Sequence, residues 1–117
     1  MNRKKFEALT AAAIDELPDE FQKRLENVDI TVESRPSKDV LDESGVEPGG
    51  TLLGLYRGVP LNHRGTAYGA VLPDIITLYQ EPIESISAGE PDVKRKIRDV
   101  LLHEIGHHFG MSEEELP

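Results

Sequence analysis

The chain has no cysteine. Disulfides, thiolate zinc sites and cysteine nucleophiles are therefore excluded. It has no tryptophan, and aromatic residues make up only 5% of it, so the core must be built mainly from Leu, Ile, Val and Ala. No apolar run approaches the ~18 residues that a membrane span requires. A secretory leader is not expected either. Met1-Asn2-Arg3-Lys4-Lys5 offers a charged start, but Glu7, Asp15 and Glu16 fall where an apolar stretch would have to lie. The expected compartment is the cytoplasm. Basic residues are also in deficit. Lys and Arg total 13 against 22 Asp and Glu, a net charge of −9, and this argues against nucleic acid, whose phosphates need a basic stripe. The one basic run, Lys94-Arg95-Lys96 with Arg98 nearby, reads as the wet face of a helix.

What remains is a polar globular composition over 117 residues, a length that fits one domain with one core, residues 1–117. Phe6, Leu9, Ala13 and Leu17 recur at helical spacing and predict a helix over 3–16. Pro18, Asp19 and Glu20 open a second helix, with Phe21 and Leu25 as its apolar side and Asn27 as a stop. Val28 to Glu33 alternates apolar and polar residues, the pattern of a strand with one wet face. Residues 35–50, rich in Pro, Ser, Asp, Glu and Gly, read as a loop. Residues 52–57 read as a short strand, 58–69 as a second loop, 75–79 as the strongest strand, and 83–88 as a turn of helix. The longest helix runs from Pro91 to Phe109, with Glu90-Pro91-Asp92 as its start signal and Gly110 as its stop.

That helix carries the chemistry. At roughly 100° per residue, Val93, Ile97, Val100, Leu101 and Ile105 gather on one side, which should pack on the sheet. His103 and His107, four apart, lie about 40° from each other on a neighbouring face. Glu104 falls on the boundary between the two faces. Two imidazoles one turn apart can each reach a cation at ~2.0–2.1 Å, and the adjacent carboxylate is held where it can touch a metal-bound water. Gly110 can take the left-handed conformation that turns the chain back. Glu113 would then approach the two histidines as a third ligand, giving His103-Glu104-x-x-His107-x-x-Gly110-x-x-Glu113, a metzincin-type spacing. Two histidines and a carboxylate favour zinc.

Alternatives stand beside these assignments. Ser112-x-x-Glu115 is a capping-box pattern, and Glu113 could serve as an acidic residue in the first turn of a short final helix. His63, in the glycine-rich loop, is an alternative ligand. His108 projects near the apolar face and reads as a packed residue behind the ligands. Oxyanion donors could come from Tyr68, Tyr79, Arg64 or His63.

The closing segment "HEIGHHFGMSEEEL" resembles the signature of the small bacterial zincin-like metallopeptidases, the minimal zincins. "LPDEFQKRLENVDITVE", "LLGLYRGVPL", "YGAVLPDIITLYQEPIE" and "VKRKIRDVLLHEIGHHFG" resemble that family's segments in the same order, so the likeness covers nearly the whole chain. The resemblance implies a compact α+β fold in which a small mixed sheet packs against N-terminal helices and the metal-binding helix. It implies zinc on His103 and His107 with Glu104 as catalytic base. The family usually shows Asp at the third-ligand position, where this chain has Glu113, one methylene longer.

The expected reaction is hydrolysis of a peptide or protein substrate, with a metal-activated water as nucleophile and Glu104 as general base. The rival is a non-catalytic zinc-binding structural or interaction module, in which four protein ligands would close the site. Metzincins carry a Met-turn well downstream of the third ligand, and only four residues follow Glu113. The floor and walls are therefore expected from the segments at 35–50 and 58–70, framing a shallow cleft suited to short or flexible peptides. Imidazole binds zinc only when neutral, so zinc affinity should fall as the pH drops below ~6.5. A zinc titration that stays flat from neutral into acid pH would rule out histidine ligation.

Overall fold

The computed structural model describes residues 1–58 and 73–110. The first helix, α1, spans Arg3–Asp15 and starts on Asn2, whose side chain accepts a hydrogen bond from the Lys5 backbone N–H at 2.8 Å. Phe6, Thr10 and Ala13 form its buried stripe. The Thr10 hydroxyl is tolerated there because it donates to the Phe6 carbonyl at 3.0 Å. Pro18 caps α2, Asp19–Arg24, which places Asp19 and Glu20 in the first turn and Lys23 and Arg24 in the last. Both pairs oppose the helix dipole. The first strand, β1, runs Val28–Glu33 and alternates half-buried with exposed residues, as its sequence requires.

Residues 35–50 do not form the continuous loop that their composition predicts. They contain a short helix, α3, Lys38–Glu43, whose cap is the Ser37 hydroxyl accepting from the Val40 N–H at 3.2 Å. None of its residues is buried. The second strand, β2, is shorter than expected, Gly54–Arg57. The third, β3, spans Asp74–Tyr79. The turn of helix expected at 83–88 begins three residues earlier, as α4, Gln80–Ser85. Gln80 replaces a loop here because its side chain is a buried junction: it accepts from Arg3 Nε at 3.0 Å and donates to the Met1 carbonyl at 2.9 Å.

The last helix, α5, Glu90–His108, starts and ends one residue before the predicted bounds, with Phe109 as its cap. Gly110 has φ of +68°, the left-handed stop. Its N–H donates to the His107 carbonyl at 3.2 Å.

The three strands form a mixed sheet in the order β1-β3-β2. The β1–β3 pair is parallel and aligns Ile30 with Ile76, while β2 pairs with β3 antiparallel and aligns Tyr56 with Ile76. Helix α5 packs on α1 and also meets β2, β3, α4 and α2. The core joins Phe6 and Phe21 from the N-terminal helices, Ile76 and Leu78 from β3, and Ile97, Leu101 and Ile105 from α5. This is the α+β arrangement that the resemblance implies, with the sheet and the N-terminal helices both anchored on α5.

Leu101 is 0% exposed. Leu101→Ala should cost about 2–5 kcal/mol, the range for a cavity-forming change in a packed core. A urea unfolding curve checks this, and a loss well under that range would mean that the α5 face is not the centre of the core.

Candidate metal centre

All five residues assigned to the apolar face of α5 are buried: Val93, Ile97, Val100, Leu101 and Ile105. Leu102 and Gly106 are buried with them. That burial fixes the roll of the helix about its axis, and so decides where every other side chain points. His103 and His107 are turned to the outside, both exposed. Their rings stand together, centroids 5.7 Å apart and planes inclined at 73°. The separation is of the size that two zinc–nitrogen bonds of ~2.0–2.1 Å, each reached from the rim of a five-membered ring, can span. The donor chemistry fits as well, since paired imidazoles are common zinc ligands.

Among the described residues, no group of three or more His, Cys, Asp or Glu side chains gathers that could hold a metal ion. Glu113 and the alternative ligand His63 lie outside the described residues, as do Arg64 and Tyr68. The pair on α5 is the part of the expected ligand set that lies within the described residues.

Glu104 occupies the rim of the core, half-buried, as its place on the helix predicts. Desolvation pushes its carboxyl above the usual range. A backbone hydrogen bond from Tyr56 and the imidazoles of His107 and His103 pull the other way without cancelling it.

Close approach of β2 produces this burial. A Cβ on Gly54 would stand 2.6 Å from Val100 Cγ1, 3.2 Å from the Thr77 carbonyl oxygen and 3.8 Å from Glu104 Cγ. Glycine is therefore required where the strand crosses the helix. Just upstream, a cavity of about 330 Å³ opens between α5 and the segment leading into β2. Leu52, Leu53 and Val100 supply its apolar lining, and His103 and Glu104 stand at its wall. The described wall of the site includes residues 51–54, just after 35–50, one of the two segments expected to supply it; the other, 58–70, lies outside the described residues beyond Gly58.

Two other sequence candidates fall differently. Tyr79 is 2% exposed, and burial first, then the Glu33 carboxylate, push its hydroxyl above the ordinary phenol range. His108 does pack, but on the strand: its ring lies over Tyr56 with centroids 4.0 Å apart and planes 13° from parallel. Tyr56 is the site residue that sequence reasoning missed. Its only local signal is a tyrosine two residues after the glycine of "LLGLYRG".

The model of the zincin-like metallopeptidase family matches residues 25–117 of this chain. Among solved structures, a conserved hypothetical protein from Thermus thermophilus is similar in fold, with a TM-score of 0.59 and 24% identity over 93% of this chain and 94% of that one. No curated protein matches. Among the described residues no helix is long and apolar enough to cross a membrane.

The raised Glu104 carboxyl has a consequence for the metal-free protein. A carboxyl that holds its proton more tightly in the folded state favours folding while protonated, and that contribution is lost as the pH rises through the folded value. At neutral pH the ionised Glu104 is then destabilising. Metal-free Glu104→Gln should unfold at a higher urea concentration than wild type at neutral pH, with the difference shrinking as the pH falls into the acid range. A less stable variant at neutral pH would mean that the donors around Glu104, and not its desolvation, set its state.

Proposed function

The chain belongs to the zincin-like metallopeptidase family, whose model covers residues 25–117, and from that premise we propose that it is a zinc-dependent peptidase with Glu104 as general base and His103, His107 and Glu113 as metal ligands. One arrangement supports this reading most. A half-buried carboxylate, Glu104, lies beside two exposed imidazoles with centroids 5.7 Å apart, and all three are carried by one helix whose roll the core fixes.

Zinc bound there supplies a Lewis acid for the scissile carbonyl and an activated water. The chain's residues do the rest. His103 and His107 hold the ion on the solvent side of α5. Glu104, adjacent to both ligands, accepts the proton of the attacking water and delivers it to the leaving amine. Its partial desolvation suits the task, because a carboxylate stripped of water is a stronger base. The cavity beside His103 and Glu104, floored by Leu52, Leu53 and Val100, receives an apolar side chain of the peptide next to the bond being cut. A volume of about 330 Å³ suits one large side chain at a time. The substrate is thus a short or flexible peptide with an aliphatic or aromatic residue, and the net charge of −9 disfavours nucleic acid.

Two substitutions separate base from ligand. Glu104→Gln should reduce hydrolysis of a peptide library by roughly 10²–10⁴-fold, the span of general-base catalysis, while zinc content stays at the wild-type level. His103→Ala should lose the metal. Wild-type hydrolysis by Glu104→Gln would overturn the base assignment. If fully zinc-loaded wild type cleaves nothing in the library, the site is a structural or interaction module.

A further inference from the structure

Tyr56 joins the sheet to the end of the ligand-bearing helix. Its ring stacks face to face on His108 at 4.0 Å. Its hydroxyl donates to Asp74 Oδ2 at 2.7 Å, and the same oxygen stands 3.7 Å from His108 Nε2. Asp74 is only 8% exposed. It is the first residue of β3, its backbone N–H donates to the Asn27 carbonyl at 3.2 Å, and it lies opposite Val28 in the parallel register. The sheet therefore places the backbone that carries the carboxylate, and the Tyr56 hydroxyl bonds the carboxylate itself. On the far side, Phe109 meets His108 edge-on at 5.0 Å, and the Arg24 guanidinium lies 4.5 Å over the Phe109 ring.

His107 occupies the turn that these contacts grip. Helix ends lack the onward hydrogen bonds of the interior and fray. A ligand on such an end holds a metal well only if packing keeps its backbone within about half an ångström of the productive geometry. The core fixes α5 up to Ile105 and Gly106. Beyond Gly106, a residue that itself loosens a helix, the last turn rests on aromatic contacts. His107 is flanked by the two points where Tyr56 meets α5. The Tyr56 backbone bonds to Glu104, and the Tyr56 ring covers His108.

We infer that Tyr56 is a positioning residue for the metal centre: through its stack on His108 it holds the last turn of α5 so that the His107 imidazole stays facing His103. The inference rests on the zinc reading of His103 and His107. Neither Tyr56 nor Asp74 is assigned a place in the ligand set. Tyr56 acts on it through the helix backbone.

The test uses the full chain. Zinc affinity is measured by competition with a chromophoric chelator, and the visible spectrum of the cobalt(II)-substituted protein reports ligand geometry. Thermal unfolding of the metal-free form runs beside them. Tyr56→Leu, which removes both ring and hydroxyl, should weaken zinc binding by about 10–100-fold, as loss of a group that orients a metal ligand does. It should also change the cobalt absorption. Tyr56→Phe, which keeps the stack, should restore most of the affinity. A merely structural Tyr56 would lower the unfolding temperature of the metal-free protein and leave affinity and spectrum of the folded form unchanged. That result overturns the inference. If Tyr56→Leu does not fold, His108→Ala carries the same test at a position whose side chain is 37% exposed. It should show the same loss, and wild-type zinc affinity there also overturns the inference. If wild type itself takes up no zinc, the zinc reading falls and this inference with it. If wild type and variants bind equally, only this inference falls.

Discussion

One helix has two tasks that constrain each other. The inner face of α5 carries the residues that close the core, Val93, Ile97, Leu101 and Ile105. The adjoining face carries His103 and His107. Because side chains on a helix are locked in angular order, burying the first set sets the direction of the second. No loop has to be ordered to bring the two imidazoles together. Their i, i+4 spacing does so, and core packing then turns them outward. The pair therefore faces outward by the roll of the helix, and stands together, rings inclined to each other, because the two positions are one turn apart.

The boundary between the two faces is where opposing electrostatic effects meet. Glu104 is neither inside nor outside, and the effects on it compete. Desolvation disfavours its charge, and the Tyr56 backbone and two imidazoles favour it. Desolvation wins because Gly54 lets β2 come against the helix at this level. A side chain at Gly54 would meet Val100 and the Thr77 carbonyl first. The absence of one Cβ thus reaches the carboxylate through the spacing of strand and helix. The same close passage leaves an apolar recess upstream, where Leu52, Leu53 and Val100 face one another.

The central strand links this boundary to the rest of the fold. β3 pairs on both sides, parallel with β1 and antiparallel with β2. Ile76 and Leu78 point into the core, while Asp74, at the start of the strand, is buried next to the end of α5. A buried carboxylate is strongly destabilising unless it is hydrogen-bonded. The Tyr56 hydroxyl supplies a bond, and His108 stands within reach of the same oxygen. The two outer strands thus stand differently to α5. β2 packs against it beside Glu104, while β1 lies toward the N-terminal side of the molecule, where Ile30 and Val32 face α1.

Local features were legible in the residues alone. Periodicity located α1, β1 and α5, and the i, i+4 spacing put His103 and His107 on one face. Gly110 marked the stop that its positive φ bears out. These hold because helix and strand geometry depend on neighbours a few residues away. The helix α3 was also locally signalled, by Ser37 ahead of Asp39, but Pro, Gly and acidic residues around it outweighed a cap worth one hydrogen bond. The remainder came from packing. Nothing in "LLGLYRG" says that its tyrosine will lie on His108, or that its hydroxyl will meet a carboxylate 18 residues on. Those contacts follow from the strand order and from how close β2 can come to α5. Both depend on where the chain returns after long excursions, and that is a property of the packed whole and not of any window of sequence.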